Sequence, residues 1–151
     1  VSFPDEWNAP PKPARDPWLP PAKATWTPAQ EAMTEDQLLG SVRDLARAGG
    51  WRMAHFRDSR REVSGGRFVG DSGAVGFPDV VLVHAAGGRV LYRELKRMGG
   101  YLRPEQREWL RALVDAGEDA GVWRPCDLER IERELLAPLT RRAVTRRENH
   151  G

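Results

Sequence analysis

Apolar residues at Leu38, Val42 and Leu45 recur at the spacing of one helical face. Thr34-Glu35-Asp36-Gln37 in front of them is a capping-box pattern, and Gly49-Gly50 behind them is a stop signal, so this stretch predicts an amphipathic helix. Trp51 to Phe56 alternates bulky and polar groups and predicts a strand. Asp79 to His84 (DVVLVH) and Val90 to Lys96 (VLYRELK) predict two more, joined by the glycine-containing turn Ala85 to Arg89 as an antiparallel hairpin. Apolar residues stand on both faces of these strands, which places the sheet between helices. Pro104 starts a second helix that runs to Ala116, with Gly117 as its stop and Trp109, Leu110, Leu113 and Val114 as its core stripe. Gln106 shares a face with Leu110 and Leu113. Ala120 to Arg124 predicts a short strand ended by Pro125, Asp127 an N-cap, and Leu128 to Leu136 a third helix with Leu128, Ile131 and Leu135 aligned. The order is helix, three strands, helix, strand, helix, without an internal repeat: an α/β fold with a mixed sheet flanked by helices, not a doubly wound parallel sheet.

The pattern fails in three places. Residues 1–33 hold eight of the twelve prolines and three of the six tryptophans (Trp7, Trp18, Trp26), a composition that opposes helix and ladder hydrogen bonding. They are expected to be an N-terminal arm whose tryptophans dock on the body or on a partner subunit. Residues 57–76 show neither period and contain five glycines, an uncommonly long structureless run inside a domain and therefore a functional candidate. Residues 138–151 form a basic C-terminal tail, which leaves 34–137 as the domain.

At 151 residues, 40% hydrophobic and 30% charged, the chain suits one soluble domain. No run approaches the roughly 20 apolar residues that cross a bilayer, and no leader pattern opens the sequence, so neither a membrane protein nor a secreted one is expected. The lone Cys126 excludes an intramolecular disulfide and a Cys-ligated zinc site, which fits a reducing cytoplasmic setting. Net charge is only +2, but its distribution is uneven. Residues 52–67 carry +3, 89–111 carry +4 and 141–151 carry +3, whereas 112–140 carry −4. One basic face and one acidic back would produce this segregation, and phosphate binding is the usual use of a basic face.

Candidate chemistry comes from the hairpin register. Pairing Val83 with Val90 sets Val81 opposite Tyr92 and Asp79 opposite Glu94, because paired positions in an antiparallel ladder keep a constant sum. Alternation then puts Asp79, Glu94 and Lys96 on one face. Two facing carboxylates repel unless a cation lies between them. A hard divalent ion such as Mg²⁺ or Mn²⁺, which takes one or two carboxylates plus water and phosphate oxygens, suits the pair. Such an ion polarises a phosphodiester and acidifies a bound water, and Lys96 would orient that water or stabilise charge on phosphorus.

The sequence here resembles the PD-(D/E)XK nuclease superfamily, and within it the VRR-NUC type found in stand-alone phage and bacterial nucleases resembling Holliday junction resolvases. The matching residues are Gly76-Phe77-Pro78-Asp79, Glu94-Leu95-Lys96, Gln106 with Trp109, and Val122-Trp123-Arg124-Pro125. The resemblance spans roughly Thr34 to Leu136. It implies a restriction-endonuclease-like fold, Asp79 and Glu94 as metal ligands with the backbone carbonyl of Leu95 as a third, and Lys96 as the catalytic lysine. It also implies that Glu35 adds a water-mediated carboxylate and that Gln106 supports the lysine or contacts substrate. Each of these two has a plainer reading: Glu35 as a first-turn acid on the helix macrodipole, Gln106 as a buried amide bonded to nearby backbone. The implied activity is metal-dependent cleavage of branched or structured DNA, in a host cytoplasm if the protein is phage-encoded, with a homodimer as one arrangement that yields paired cuts.

Arg57, Arg60, Arg61 and Arg67, set among glycines just ahead of Asp79, are expected to form a mobile DNA-contacting flap or else a solvated loop, with Arg97 and Arg103 as further phosphate contacts. His55 is a possible phosphate contact or an ordinary partly buried histidine. Gly70-Asp71-Ser72-Gly73 imitates a serine-protease motif but lacks suitably placed partners. Two other classes fit the same basic face: a DNA-binding module without catalysis, and a subunit that binds an acidic protein.

Overall fold

Apolar residues stand on both faces of the hairpin strands, and helices pack on both sides of the sheet to which these belong. A computed structural model describes residues 14–56, 61–63, 67–69 and 75–137. Its elements are α1 (Pro28–Ala32), α2 (Glu35–Ala48), β1 (Arg52–His55), β2 (Arg61–Val63), β3 (Arg67–Val69), β4 (Val80–His84), β5 (Arg89–Leu95), α3 (Pro104–Asp115), β6 (Asp119–Trp123) and α4 (Leu128–Leu136). The main sheet has the order β1-β4-β5-β6, antiparallel except for the parallel β5–β6 pair at one edge. Val83 pairs with Val90 and Val81 with Tyr92, the register expected from the turn.

One face of the sheet presents Val80, Leu82, Leu91 and Leu95 to Leu38, Val42 and Ala46 of α2 and to Ile131 and Leu135 of α4, all buried. On the other face Leu110 of α3 packs with Leu102 and Trp18 over Ala120 and Val122 of β6. The result is a mixed sheet between two helical layers, an α/β architecture of restriction-endonuclease type. Arg93 is a cation within the sheet on the α4 side. It donates to the Asp119 carbonyl at 2.8 Å and the Asp119 carboxylate at 2.6 Å, and lies 5.0 Å from the centre of the Trp123 ring. A buried guanidinium is tolerable when its donors are filled in this way.

Several expectations need correction. The proline-rich arm is not without helix: Thr27 and Gln30 form a reciprocal capping box that starts α1, with Pro28 at its first position, where a missing N–H costs nothing. Trp18, by contrast, docks on the body, one of the two placements expected for the arm's tryptophans: it packs with Leu102 and Leu110, and its ring centre lies 5.9 Å from the Arg107 guanidinium and 5.2 Å from that of Arg111. The run 57–76 is not wholly irregular, because β2 and β3 pair as an antiparallel ribbon. Asp127 does not cap α4 with its side chain; its carboxylate accepts the Arg124 backbone N–H at 2.8 Å and closes the 3-10 turn at Pro125–Asp127. No helix among the described residues is long and apolar enough to cross a membrane.

Candidate active site

Asp79 stands one residue ahead of β4, directly after buried Pro78. Val80 pairs with Arg93, so the next position outward sets Asp79 against Glu94, as the constant sum requires. The Asp79 carbonyl accepts from the Phe56 N–H at 2.8 Å, extending the β1–β4 ladder. Its side-chain Oδ2 accepts from the Leu95 N–H, also at 2.8 Å. Gly76, three residues before Asp79, lets the lead-in to β4 pass against α3. Its φ is +84°, and a Cβ placed there would fall 2.5 Å from the carbonyl carbon of Glu105 in the first turn of α3. Only glycine lets the strand lead-in and the helix start meet so closely.

Glu94 is 1% exposed. Its Oε1 accepts from Gln106 Nε2 at 2.5 Å and lies 3.2 Å from Lys96 Nζ. Helix capping sets the orientation of Gln106: as the N3 residue of α3 its Oε1 accepts the Arg103 backbone N–H at 2.9 Å, which turns the amide nitrogen toward Glu94. Gln106 therefore bonds both to nearby backbone and to the acid; it meets the lysine only through their shared Glu94 oxygen. The other oxygen, Glu94 Oε2, is buried with no hydrogen-bond partner among the described residues.

The Glu94 carboxyl is pushed up to about 8, first by burial and then by the neighbouring Asp79, against the opposing pull of Lys96. Asp79 is also raised, first by burial and then by Glu35, against the opposing pull of the Leu95 N–H and Lys96. Two carboxyls that resist ionisation together mark a place where positive charge is missing.

Glu35 and Asp79 line one cleft of about 610 Å³ together with Asp36, Leu39, Arg43, His55 and Phe56. Glu35 Oε1 lies 3.5 Å from the Arg97 backbone nitrogen. Its first-turn position on α2, also expected, is occupied as well. His55 is exposed rather than partly buried, and it borders the cleft. Arg43 was not foreseen, although Glu35, Leu39 and Arg43 stand at i, i+4 and i+8, a spacing that already aligns them on one helical face. Arg97 is exposed beside Lys96, and Arg103 is half-buried at the N-cap of α3. The flap residues Arg57 and Arg60 lie outside the described residues, and Arg61 and Arg67 are described only as backbone of β2 and β3.

The donor set suits a hard divalent cation. A buried carboxylate oxygen without a partner, a facing carboxylate and a strand carbonyl are all oxygen ligands. The N–H and C=O of one strand residue point to the same side, so the Leu95 carbonyl faces the Asp79 side that its N–H already reaches. No group of three or more His, Cys, Asp or Glu side chains able to hold a metal occurs among the described residues, which leaves the carboxylate pair, backbone and water as the available ligands.

Residues 62–125 match the family model of the VRR-NUC domain. This part of the chain is a VRR-NUC domain, a PD-(D/E)XK-like nuclease domain. No curated protein and no solved structure matches the chain. The matched stretch contains Asp79, Glu94, Lys96 and Gln106, while Glu35, β1 and α4 lie outside it.

One residue of the VRR-NUC domain had no role assigned from sequence. Arg124 is 3% exposed, and its guanidinium donates to the carbonyls of Arg97 at 2.8 Å, Gly100 at 2.6 Å and Trp18 at 3.0 Å. It pins the loop that follows Lys96 and ties that loop to the arm. Its partners are backbone atoms distant in sequence, so no side-chain pattern pointed to them.

Proposed function

We propose that the protein is a divalent-metal-dependent endodeoxyribonuclease that hydrolyses phosphodiester bonds in branched or structured DNA, such as flaps and junctions. Mg²⁺ or Mn²⁺ would be held by Asp79, Glu94 and the Leu95 carbonyl. The observation that carries this reading is the buried Glu94 carboxylate opposite Asp79, whose Oε2 receives no hydrogen-bond donor among the described residues, with Lys96 Nζ 3.2 Å from its other oxygen. When bound, the ion supplies Lewis-acid polarisation of the phosphate and a more acidic water.

The remaining work falls to the chain. The Leu95 N–H fixes the Asp79 carboxylate, and Gln106 fixes Glu94, so the two acids are organised before substrate arrives. Lys96, with its side chain 13% exposed, keeps a cation at the edge of the site, where it orients the attacking water or stabilises charge developing on the phosphate oxygens. Arg97, Arg103 and the arginines of 57–67 follow neighbouring phosphates. Such contacts give affinity that falls with salt but carry no base sequence. Paired cuts at a junction require two sites, which a C2 homodimer would supply.

The test is incubation with linear, flapped and four-way DNA in Mg²⁺ or Mn²⁺, comparing wild type with Asp79→Ala and Lys96→Ala. Incision by wild type and by neither variant supports the assignment. Equal incision by all three places the chemistry elsewhere. DNA binding without incision by wild type favours a binding module, and no DNA affinity at all favours a protein-interaction subunit.

A further inference from the structure

Tyr101 is 80% exposed, yet the backbone that carries it is held on both sides. Arg124 bonds the carbonyls of Arg97 and Gly100, the Gly100 N–H closes a turn onto the Arg97 carbonyl at 3.0 Å, and the flanking Met98 and Leu102 are buried. A rigid loop therefore displays an aromatic ring to solvent. The fold draws little packing from that ring.

The loop also returns toward the candidate catalytic lysine. A Cβ built on Gly100 would lie 3.4 Å from Lys96 Cδ, so Gly100 packs on the lysine stem and Tyr101 begins one residue, about 3.8 Å of backbone, further on. Around the ring in sequence stand Arg97, exposed, and Arg103, giving the interleaving of cations and aromatics that suits a phosphate backbone with a base attached.

We infer that Tyr101 is a stacking platform for one unpaired nucleobase next to the scissile phosphate. A paired base inside a duplex already has both faces covered by its neighbours, so an exposed ring beside the site selects nucleotides that are single-stranded, frayed or at a branch. The position of the cut bond relative to that base rests on the nuclease reading; the stacking itself does not. The inference narrows branched or structured DNA to DNA with an unpaired base within about one nucleotide of the cut.

The experiment separates binding from cleavage. In low salt with EDTA, anisotropy of labelled DNA is measured for wild type, Tyr101→Ala and Tyr101→Phe on a blunt duplex and on the same duplex with a single-stranded branch. Stacking is worth about 1–3 kcal/mol per base, so Tyr101→Ala should bind the branched DNA about 5- to 150-fold more weakly and the blunt duplex unchanged, with Tyr101→Phe close to wild type. A 2-aminopurine at the branch point should be quenched by wild type and by Tyr101→Phe, and not by Tyr101→Ala. Equal losses on both DNAs, no loss on either, an unquenched probe or no DNA binding by wild type would each overturn the inference. If these results hold and Mg²⁺ or Mn²⁺ still yields no incision, the nuclease reading fails and the platform stands. If branched DNA is cut equally well by wild type and Tyr101→Ala, the platform fails and the nuclease stands.

Discussion

Replacing Glu94 with glutamine removes one charge from a buried acid pair while keeping its size. Glu94 ionises near pH 8 in the folded protein rather than at its ordinary 4.5, so across that window the folded state holds a proton that the unfolded chain has released. Stability consequently falls as pH rises from about 4.5 to about 8, because the folded state binds more protons than the unfolded one. Each unit of displacement is worth about 1.4 kcal/mol, which sets a ceiling of about 5 kcal/mol for the full window. Glu94→Gln is free of this loss. At about pH 5 the two proteins should melt within a few degrees of one another in EDTA; by about pH 8.5 the variant should melt higher, by on the order of 10 °C at about 2–4 °C per kcal/mol. Circular-dichroism melts at constant ionic strength from pH 5 to 9 read the difference directly, and subtraction cancels the groups common to both proteins. Added Mg²⁺ or Mn²⁺ at the alkaline end should raise the wild-type melting temperature more than that of the variant, since a cation replaces the missing proton. Melting curves that shift in parallel with pH, leaving a constant gap, would refute the account of Glu94 as a frustrated carboxyl.

Three further outcomes are expected. Arg124→Lys keeps the charge but cannot span four separated carbonyls, so it should lower stability by about 2–4 kcal/mol, read from urea midpoints, and loosen the loop after Lys96 in hydrogen exchange. Gly76→Ala places a methyl against the Glu105 backbone at a φ of +84° and should cost about 2–4 kcal/mol while weakening metal affinity by calorimetry, because Asp79 is carried on the same lead-in. A fragment cut to residues 62–125 lacks β1 and the buried Leu38, Val42, Ala46, Ile131 and Leu135, so its melt should show no cooperative transition.

The hairpin register was legible because a short turn and alternating valines leave one pairing that buries the right faces, and the opposition of Asp79 and Glu94 follows by arithmetic. Helix α2 was legible from its capping box and α3 from Pro104 and Gly117, whereas α1 was hidden in a proline-rich run; Gln106, which completes the turn at the start of α3, also reaches Glu94. The parallel direction of β6 was not, since Asp119–Trp123 (DAGVW) is short and mixed in polarity, and a strand pattern carries no information about its direction. The β2–β3 ribbon escaped because neither of its three-residue strands spans a readable period. Arg124 and Tyr101 escaped for opposite reasons. One is defined by carbonyls that only the folded chain gathers, and the other by an exposure that a sequence does not display.

The hairpin keeps its acids at one end and its turn at the other. Asp79 and Glu94 flank the open end of β4 and β5, whereas residues 85–88 close the far end, five positions away, or roughly 16 Å at strand spacing. A change in turn length that preserves the pairing of Val83 with Val90 leaves the separation of the two acids untouched. That turn is therefore the place to attach a fluorophore or an affinity handle, and a site where natural insertions could accumulate without disturbing the chemistry.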